Sequence, residues 1–496
     1  MNTNIFKILS EKPAATIVSA AMIDRRMDAG CFQPTYLKNE NSLLNGSVPS
    51  ARLGSLYSKG NYGSLPDSVD YAPNGVALIR GTDLESMTVN LSDAVRVPEH
   101  YYDQFKKAQI KPGDILMLVK GASIDRTDSA AMFPETDDKA IANGSIFIIK
   151  AKTKKVNSKY LFAVMTSESF LLQKRRGSSN TGALYNDLDT IKAFIVPLPD
   201  QMIQDYIGRK VELADKCRHS ATKFKATAKK QFEESIQWDA KLELPHLSHW
   251  VLPDLMSSRM DLNFNSPRKI QLIQFLKDAS IKCKQFDTLV DISAMIGWKG
   301  LTTEHYVDEG PWLLRGVEYR DGYIDFDALI SVEQYKYDEQ PQIHLTHKDI
   351  AMTKDGTIGK ALVVPKLNKP MAAGSTIARL RVKNGKAINP YYLELVINHP
   401  VVQIQIQSFA TGLAQPHITQ EWIAQLIIPR VESIEADISK LVEKHHYLME
   451  RAHNLSKEAK CDVESLIEGK LDSEAIMSGK RKAPTWEDIE KELEGI

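Results

Sequence analysis

Two long stretches, each beginning just after a proline, constrain this chain more than anything else in it. After Pro429, the spaced positions Ile434, Ile438, Leu441, His445, Leu448, Ala452, Leu455 and Ala459 advance in alternating steps of four and three. That is a heptad seam, the pattern of a helix that must lay one stripe on a partner. After Pro197 the same steps give Ile203, Ile207, Lys210, Ala214, Cys217, Ala221, Phe224 and Ala228, each 231 residues before its counterpart. A helix of roughly 30–37 residues is about 45–55 Å long and cannot bury such a stripe alone. Ala214, Ala221 and Ala228 make the first seam small, while Leu441, Leu448 and Leu455 make the second large. Small facing large predicts that the two helices pair with each other; the alternative is that each packs on its own globule.

The duplication extends beyond the helices. Arg26-Met27-Asp28 returns as Arg259-Met260-Asp261, and Leu78-Ile79-Arg80-Gly81 as Leu313-Leu314-Arg315-Gly316. Asp114-Ile115, which enters an apolar run ending in Lys120-Gly121, returns as Asp349-Ile350, whose run reaches Lys354 and Gly356. Asn143-Gly144-Ser145, Asn157-Ser158-Lys159-Tyr160-Leu161, Thr181-Gly182-Ala183 and Ile195-Val196-Pro197 have counterparts at Ala373-Gly374-Ser375, Asn389-Pro390-Tyr391-Tyr392-Leu393, Thr411-Gly412-Leu413 and Ile427-Ile428-Pro429. Anchors in constant order at an offset near 230 residues describe a tandem duplication, with a period too long for a solenoid.

The expected class is α+β: two tandem globules of mixed short strands and helices, each followed by a long helix, the helices pairing as an antiparallel coiled coil. The boundaries read as 1–199 for the first globule, 200–258 for the first long helix and connector, 259–430 for the second globule, 431–469 for the second long helix, and 470–496 for a polar tail that frays or docks a partner. Residues 1 to about 30 read as helical, as does Lys159–Leu172. No run approaches the ~20 apolar residues of a membrane span, so no membrane partner is expected. Four scattered cysteines without a CxxC or Cys/His cluster suit a reduced cytoplasm and support no zinc site.

Catalytic patterns fail on inspection. Gly356-Thr357-Ile358-Gly359-Lys360-Ala361 is too short for a phosphate loop and lacks its hydroxyl residue. Asn389-Pro390-Tyr391-Tyr392 lacks the second proline of the amino-methyltransferase motif and suits a helix start instead. His445-His446 has no third ligand. A methyltransferase or nuclease acting alone is therefore disfavoured, and no catalytic, cofactor or metal residue is expected in this chain.

The ordered set of anchors, present twice and closed each time by a long helix after a proline, resembles the DNA-specificity (S) subunits of type I restriction-modification systems. The resemblance covers nearly the whole chain, although Gly121-Ala122-Ser123-Ile124-Asp125 lacks the second glycine found at Gly359. The second copy also has Pro429-Arg430-Val431-Glu432 where the first has Leu198-Pro199-Asp200-Gln201. These departures leave room for a related methylation-based phage-defence system. The resemblance implies a non-catalytic, cytoplasmic subunit whose globules are target-recognition domains reading the halves of a bipartite site in double-stranded DNA. It implies two copies of a DNA adenine methyltransferase subunit as partners, with S-adenosylmethionine bound there and not here. A restriction or other defence effector subunit can join. The rival reading is a coiled-coil scaffold that joins subunits without reading bases.

The net charge is +0, so DNA contacts must be local. Base edges are read by Arg or Lys for guanine and Asn or Gln for adenine, from loops. In the first copy the candidates are Lys120, Ser123 and Arg126, with Arg175, Arg176, Ser178, Ser179, Asn180 and Thr181. In the second they are Lys354, Thr357 and Lys360, with Thr411, Gln415 and His417. Arg80 and Arg315 recur in both copies, which suits a shared salt bridge or phosphate contact over base choice.

Overall fold

Pro34 and Pro267 each open a helix of twelve residues, Pro34–Asn45 and Pro267–Asp278, at the position where a missing N–H costs nothing. From there the two copies build the same object. A computed structural model describes residues 6–11, 14–23, 28–66, 68–85, 87–89, 91, 94–126, 128–178, 184–243, 259, 261–278, 281–296, 301–385, 388–412 and 414–496. They divide into two units: residues 1–216 with 452–489, and residues 217–451 with 490–496. Two of the three divisions fall inside the long helices, which span Gln201–Ile236 and Glu435–Ile467, and the third inside Trp486–Glu494.

In the first unit one sheet runs in the order Ala130–Met132, Ile115–Leu118, Ile146–Ala151, Tyr57–Tyr62. A second runs Arg96–Val97, Val76–Ile79, Ala140–Ala142, Gln109–Ile110. In the second unit the orders are Ala361–Val363, Ile350–Thr353, Ile377–Val382, Val290–Ala294 and Ile330–Val332, Tyr306–Leu314, Met371–Ala373, His344–Leu345. The orders match strand for strand. So does the one parallel pairing in each second sheet, Ala140 with Ala77 and Met371 with Trp312.

The Asp-Ile strands read as unbroken apolar runs because both of their faces are covered. Ile115 and Met117 point into a core shared with Tyr160 and Phe162, while Leu116 and Leu118 point into another with Ile146 and Phe133. Ile350 and Met352 repeat this against Tyr392 and Val396, with Ala351 on the other side. Each strand is entered through a buried aspartate that caps its own turn. Asp114 Oδ2 accepts from the Lys111 amide at 2.9 Å, and Asp349 Oδ2 from the Thr346 amide at 2.7 Å.

Within each unit the segments of the long helices run antiparallel. In the first unit Ile203, Ile207 and Val211 share a core with Ala459, Val463 and Leu466, and Lys210 Nζ reaches Asp462 at 2.6 Å and Glu458 at 3.2 Å. In the second unit the Ala221 carbonyl lies 3.0 Å from His445 Nδ1, while Ala228, Phe232 and Ile236 pack with Val442 and Ile438. Seam positions Ala214, Cys217, Leu448, Ala452 and Leu455 are buried; Phe224, Ile434 and Leu441 are half-buried. Among the described residues no helix is long and apolar enough to cross a membrane.

Three local expectations give way. The N-terminal stretch is a β-hairpin, Phe6–Glu11 paired with Ala14–Val18, since β-branched Thr16, Ile17 and Val18 favour extended backbone. The run Lys159–Leu172 is two helices, Ser158–Met165 and Glu168–Gly177, because Ser167 turns out of the first and caps the second by accepting from the Phe170 amide. Over residues 471–481 the tail is packed and does not fray. Leu471 and Ile476 enter the core of the first unit, and Arg481 Nε donates to the Tyr206 hydroxyl at 2.9 Å.

Candidate nucleic-acid interface

Two loops far apart in sequence are tied together in each globule, by the same backbone contacts. In the first, the Gly121 amide donates to the Leu184 carbonyl at 3.0 Å and the Asn186 amide to the Val119 carbonyl at 3.0 Å, flanking a bridge between Lys120 and Tyr185. In the second, the Gly356 amide donates to the Pro416 carbonyl at 2.9 Å and the Ile418 amide to the Lys354 carbonyl at 3.0 Å, flanking a bridge between Asp355 and His417. Gly121 and Gly356 adopt φ of +126° and +74°, which side chains rarely tolerate, so glycine is required where the chain leaves the strand. The loop after the Asp-Ile strand and the loop after the second short helix thereby become one surface.

On the second globule that surface is well framed. Gly359 donates its amide to the Thr353 carbonyl at 2.7 Å, the Lys360 amide donates to the Thr353 hydroxyl at 3.0 Å, and Gln403 Nε2 donates to the Gly359 carbonyl at 2.8 Å. Thr411 and His417 exchange both backbone bonds at 2.8 Å, closing a tight turn at Gly412, whose φ is +86°. Thr357, Lys360, Thr411 and Gln415 are exposed on this frame. Lys354 Nζ pairs with Asp355 at 2.7 Å, and His417 Nδ1 contacts the other oxygen of the same carboxylate. Burial alone would raise the Asp355 pKa, but Lys354 and His417 together hold it below the usual carboxylate range.

The first globule distributes its candidates differently. Lys120 and Arg126 are exposed, with Arg126 ion-paired to Asp128 at 2.7 Å, and Ser123 is half-buried. Arg175 spans two carboxylates, Asp125 at 3.0 Å and Glu168 at 2.7 Å. Arg176 binds Glu40 at 2.8 Å and the Cys31 carbonyl at 2.9 Å. Ser178 is buried, donating to the Lys174 carbonyl at 2.7 Å. The two arginines tie the second short helix to its surroundings, and Ser178 closes its C-terminal end. Ser179, Asn180 and Thr181 lie outside the described residues. Arg80 pairs with Asp83 at 2.9 Å and Arg315 with Glu318 at 2.8 Å, each over a buried carboxylate, so both copies hold the same three-residue salt bridge.

Sequence reasoning passed over Tyr185 and Asp355, the bridge residues opposite Lys120 and between Lys354 and His417. It also passed over Gln173 and Gln405, which stand 232 residues apart and would have served as a further anchor. Each clasps the backbone of the last strand: Gln173 Nε2 to the Ile195 carbonyl at 3.0 Å with the Ile195 amide returning at 2.7 Å, and Gln405 with Ile427 at 2.9 and 2.8 Å.

No family model matches the chain, and no curated protein matches it. Solved structures do. An S subunit of a type I restriction-modification system from M. genitalium is similar at 11% identity, over 86% of this chain and 96% of that one, with a TM-score of 0.37. The HsdS subunit from Thermoanaerobacter tengcongensis is similar at 15% identity, over 85% and 97%, with a TM-score of 0.28. A structure described for complex assembly and conformational transition of the type I restriction-modification system is similar at 14% identity, over 86% and 100%, with a TM-score of 0.29.

Proposed function

We propose that this chain is a non-catalytic DNA-specificity subunit: each globule reads one half of a bipartite duplex site, and the chain directs partner adenine methyltransferase subunits, which bind the S-adenosylmethionine, to that site. One observation carries the reading. The same backbone frame joins the same two loops in both globules, yet the side chains it displays differ: Lys120 and Tyr185 in one, Asp355 and His417 in the other. A frame kept while its polar heads change suits two surfaces that contact duplex DNA in one manner and select different bases. Lys120 and Arg126 on one globule, and Thr357, Lys360, Thr411 and Gln415 on the other, supply exposed donors and acceptors of the required kinds. Because the chain is neutral overall, affinity rests on few cations plus whatever the partners add, and it falls with salt.

The deciding experiment is to co-express the chain with its neighbouring genes, purify the complex, and map adenine methylation on host DNA. The expected result is a two-part motif with an unspecified centre that disappears when this chain is deleted. Methylation that persists without it, or a complex lacking a methyltransferase, sinks this reading in favour of a scaffold without base readout.

A further inference from the structure

The two globules also differ beside the helices that Pro34 and Pro267 open. In the second, Phe264, Phe409 and Trp422 form a three-ring cluster with centres 5.1–5.7 Å apart. Lys269 Nζ lies 3.4 Å from the centre of the Phe264 ring, and the Arg259 guanidinium lies 4.7 Å from Phe264 and 5.3 Å from Trp422. The counterpart positions in the first globule are Cys31, Gly177 and Thr190. The equivalence is fixed by the matched helices that Pro34 and Pro267 open and by the matched Gln173 and Gln405 clasps. Three rings are replaced by three small residues, while Phe32, Tyr36 and Phe194 stand where the second globule has Asn265, Lys269 and Leu426; among the described residues this exchange leaves a cavity of about 380 Å³ lined by all six.

The relocated rings do not close the space, so the half-buried walls at Phe32, Tyr36, Gly177 and Thr190 lack contact partners on the cavity side. The cavity is in the size range of ordinary ligand pockets, with apolar walls from Phe32, Tyr36 and Phe194 and a polar rim that includes Glu40, Arg52, Arg176 and Asp189. The duplicate copy shows what this scaffold accommodates there: flat rings accompanied by cations. The polar rim argues for the same chemistry and against a phosphate-bearing ligand. Arg176 is held by Glu40 and the Cys31 carbonyl, and Arg52 Nη1 donates to the Ala193 carbonyl at 2.6 Å. Asp189 is exposed at the edge of the cavity.

We propose that this cavity is a docking site for an aromatic side chain, carried beside a basic residue on a partner protein, which fills from outside the space that Phe409 and Trp422 fill in the second globule. The cavity adjoins the loop that follows Gly177 and shares Arg176 with the sequence-predicted contacts, but its argument does not depend on the DNA-reading role.

The test uses the full chain and three probes followed by calorimetry: an acetylated, amidated Arg-Trp-Arg peptide, the matching Arg-Ala-Arg peptide, and adenosine monophosphate. The tryptophan peptide is expected to bind one per chain and about tenfold or more tighter than the alanine peptide, the size of effect that burying one aromatic ring gives. Asp189→Asn weakens it a few-fold. The double variant Gly177→Phe/Thr190→Trp rebuilds the plug and abolishes binding. Both changes are made together because a Cβ on Gly177 would stand 2.5 Å from the Thr190 methyl. If the double variant does not melt cooperatively, Thr190→Trp alone decides. Equal binding of the two peptides, binding that survives the plug, or tighter binding of the nucleotide each overturns the proposal, the last by reassigning the cavity to a nucleobase.

Discussion

The hydroxyl of Tyr160 donates to the carbonyl oxygen of Pro197 at 2.9 Å, just ahead of the first long helix. Tyr392 makes the same bond to Pro429 at 3.0 Å. Burial pushes the Tyr160 hydroxyl far above the ordinary phenol range, so it remains a donor throughout the stable pH range. Tyr160→Phe or Tyr392→Phe leaves a buried carbonyl unpaired and is expected to cost about 1–2 kcal/mol each. Urea titration should show lower midpoints with unchanged slopes. An unchanged midpoint would make the bond a spectator.

Lys210 is the one charged residue in the first seam, and its ammonium is nearly inaccessible between Asp462 and Glu458. Burial opposes its charge, yet Asp462, Tyr206 and Glu458 outweigh that and its pKa is raised. Lys210→Met removes the nearer cation from a buried carboxylate whose other ion-pair partner among the described residues is Arg481 at 3.3 Å. The expected loss is about 2–4 kcal/mol, while the double variant Lys210→Met/Asp462→Leu should recover most of it. A double-mutant cycle with no coupling would contradict the assignment.

Lys174 is fully buried, with its ammonium 2.8 Å from the Ser129 hydroxyl. Burial pushes its pKa down to about 7, a shift that the negative charge of Asp125 only partly opposes. The unfolded chain holds this proton up to the ordinary lysine value, so between pH 7 and roughly 10.4 it binds more protons than the native protein. The native fold is therefore stabilised by rising pH across that window and penalised most fully below it. Lys174→Met should be more stable than wild type near pH 6.5, by an amount on the order of 4 kcal/mol, with the advantage fading toward pH 10. A constant difference between the two pH values would mean that this lysine does not titrate in the window.

If the framed loops read bases, substitutions on one globule should alter one half of the methylated motif. Gln415→Ala is expected to relax one position of one half, costing about 1–3 kcal/mol against the preferred base, while Lys120→Ala should affect only the other half or weaken all sites evenly. Methylome sequencing of each variant separates these outcomes. A change in both halves from one substitution would refute independent readout.

What the sequence made legible was whatever repeats locally. The heptad positions, the anchor offsets and the proline-led helices depend on spacing within one element, and duplication doubles the signal. Tertiary partners were not legible. Arg175 and Arg176 look like a mobile basic loop in sequence, but Asp125, Glu168 and Glu40 neutralise them, and Asp125 and Glu40 come from elsewhere in the chain. The contact of Gly121 with Leu184 joins residues 63 apart, which no periodicity announces. Ser167 was readable as a cap, yet the strong apolar periodicity on both sides of it suggested one helix.

The second long helix does more than mirror the first. Ala459, Val463 and Leu466, with Leu471 and Ile476 beyond them, lie in the core of a unit whose first segment ends at Lys216. Burying those four larger side chains is worth roughly 6–12 kcal/mol, comparable to the whole stability of a domain. Neither half of the gene therefore encodes a finished fold. A polypeptide stopping at residue 243 would present the bare stripe of Ile203, Ile207 and Val211, and its easiest remedy is a second copy of itself, each lending the other its helix in a two-fold exchange. Sedimentation of that truncated polypeptide should show a dimer. A stable monomer would mean that the downstream helix is dispensable. The tandem duplication then supplies within one chain the helix that a single copy would have to borrow from a second molecule.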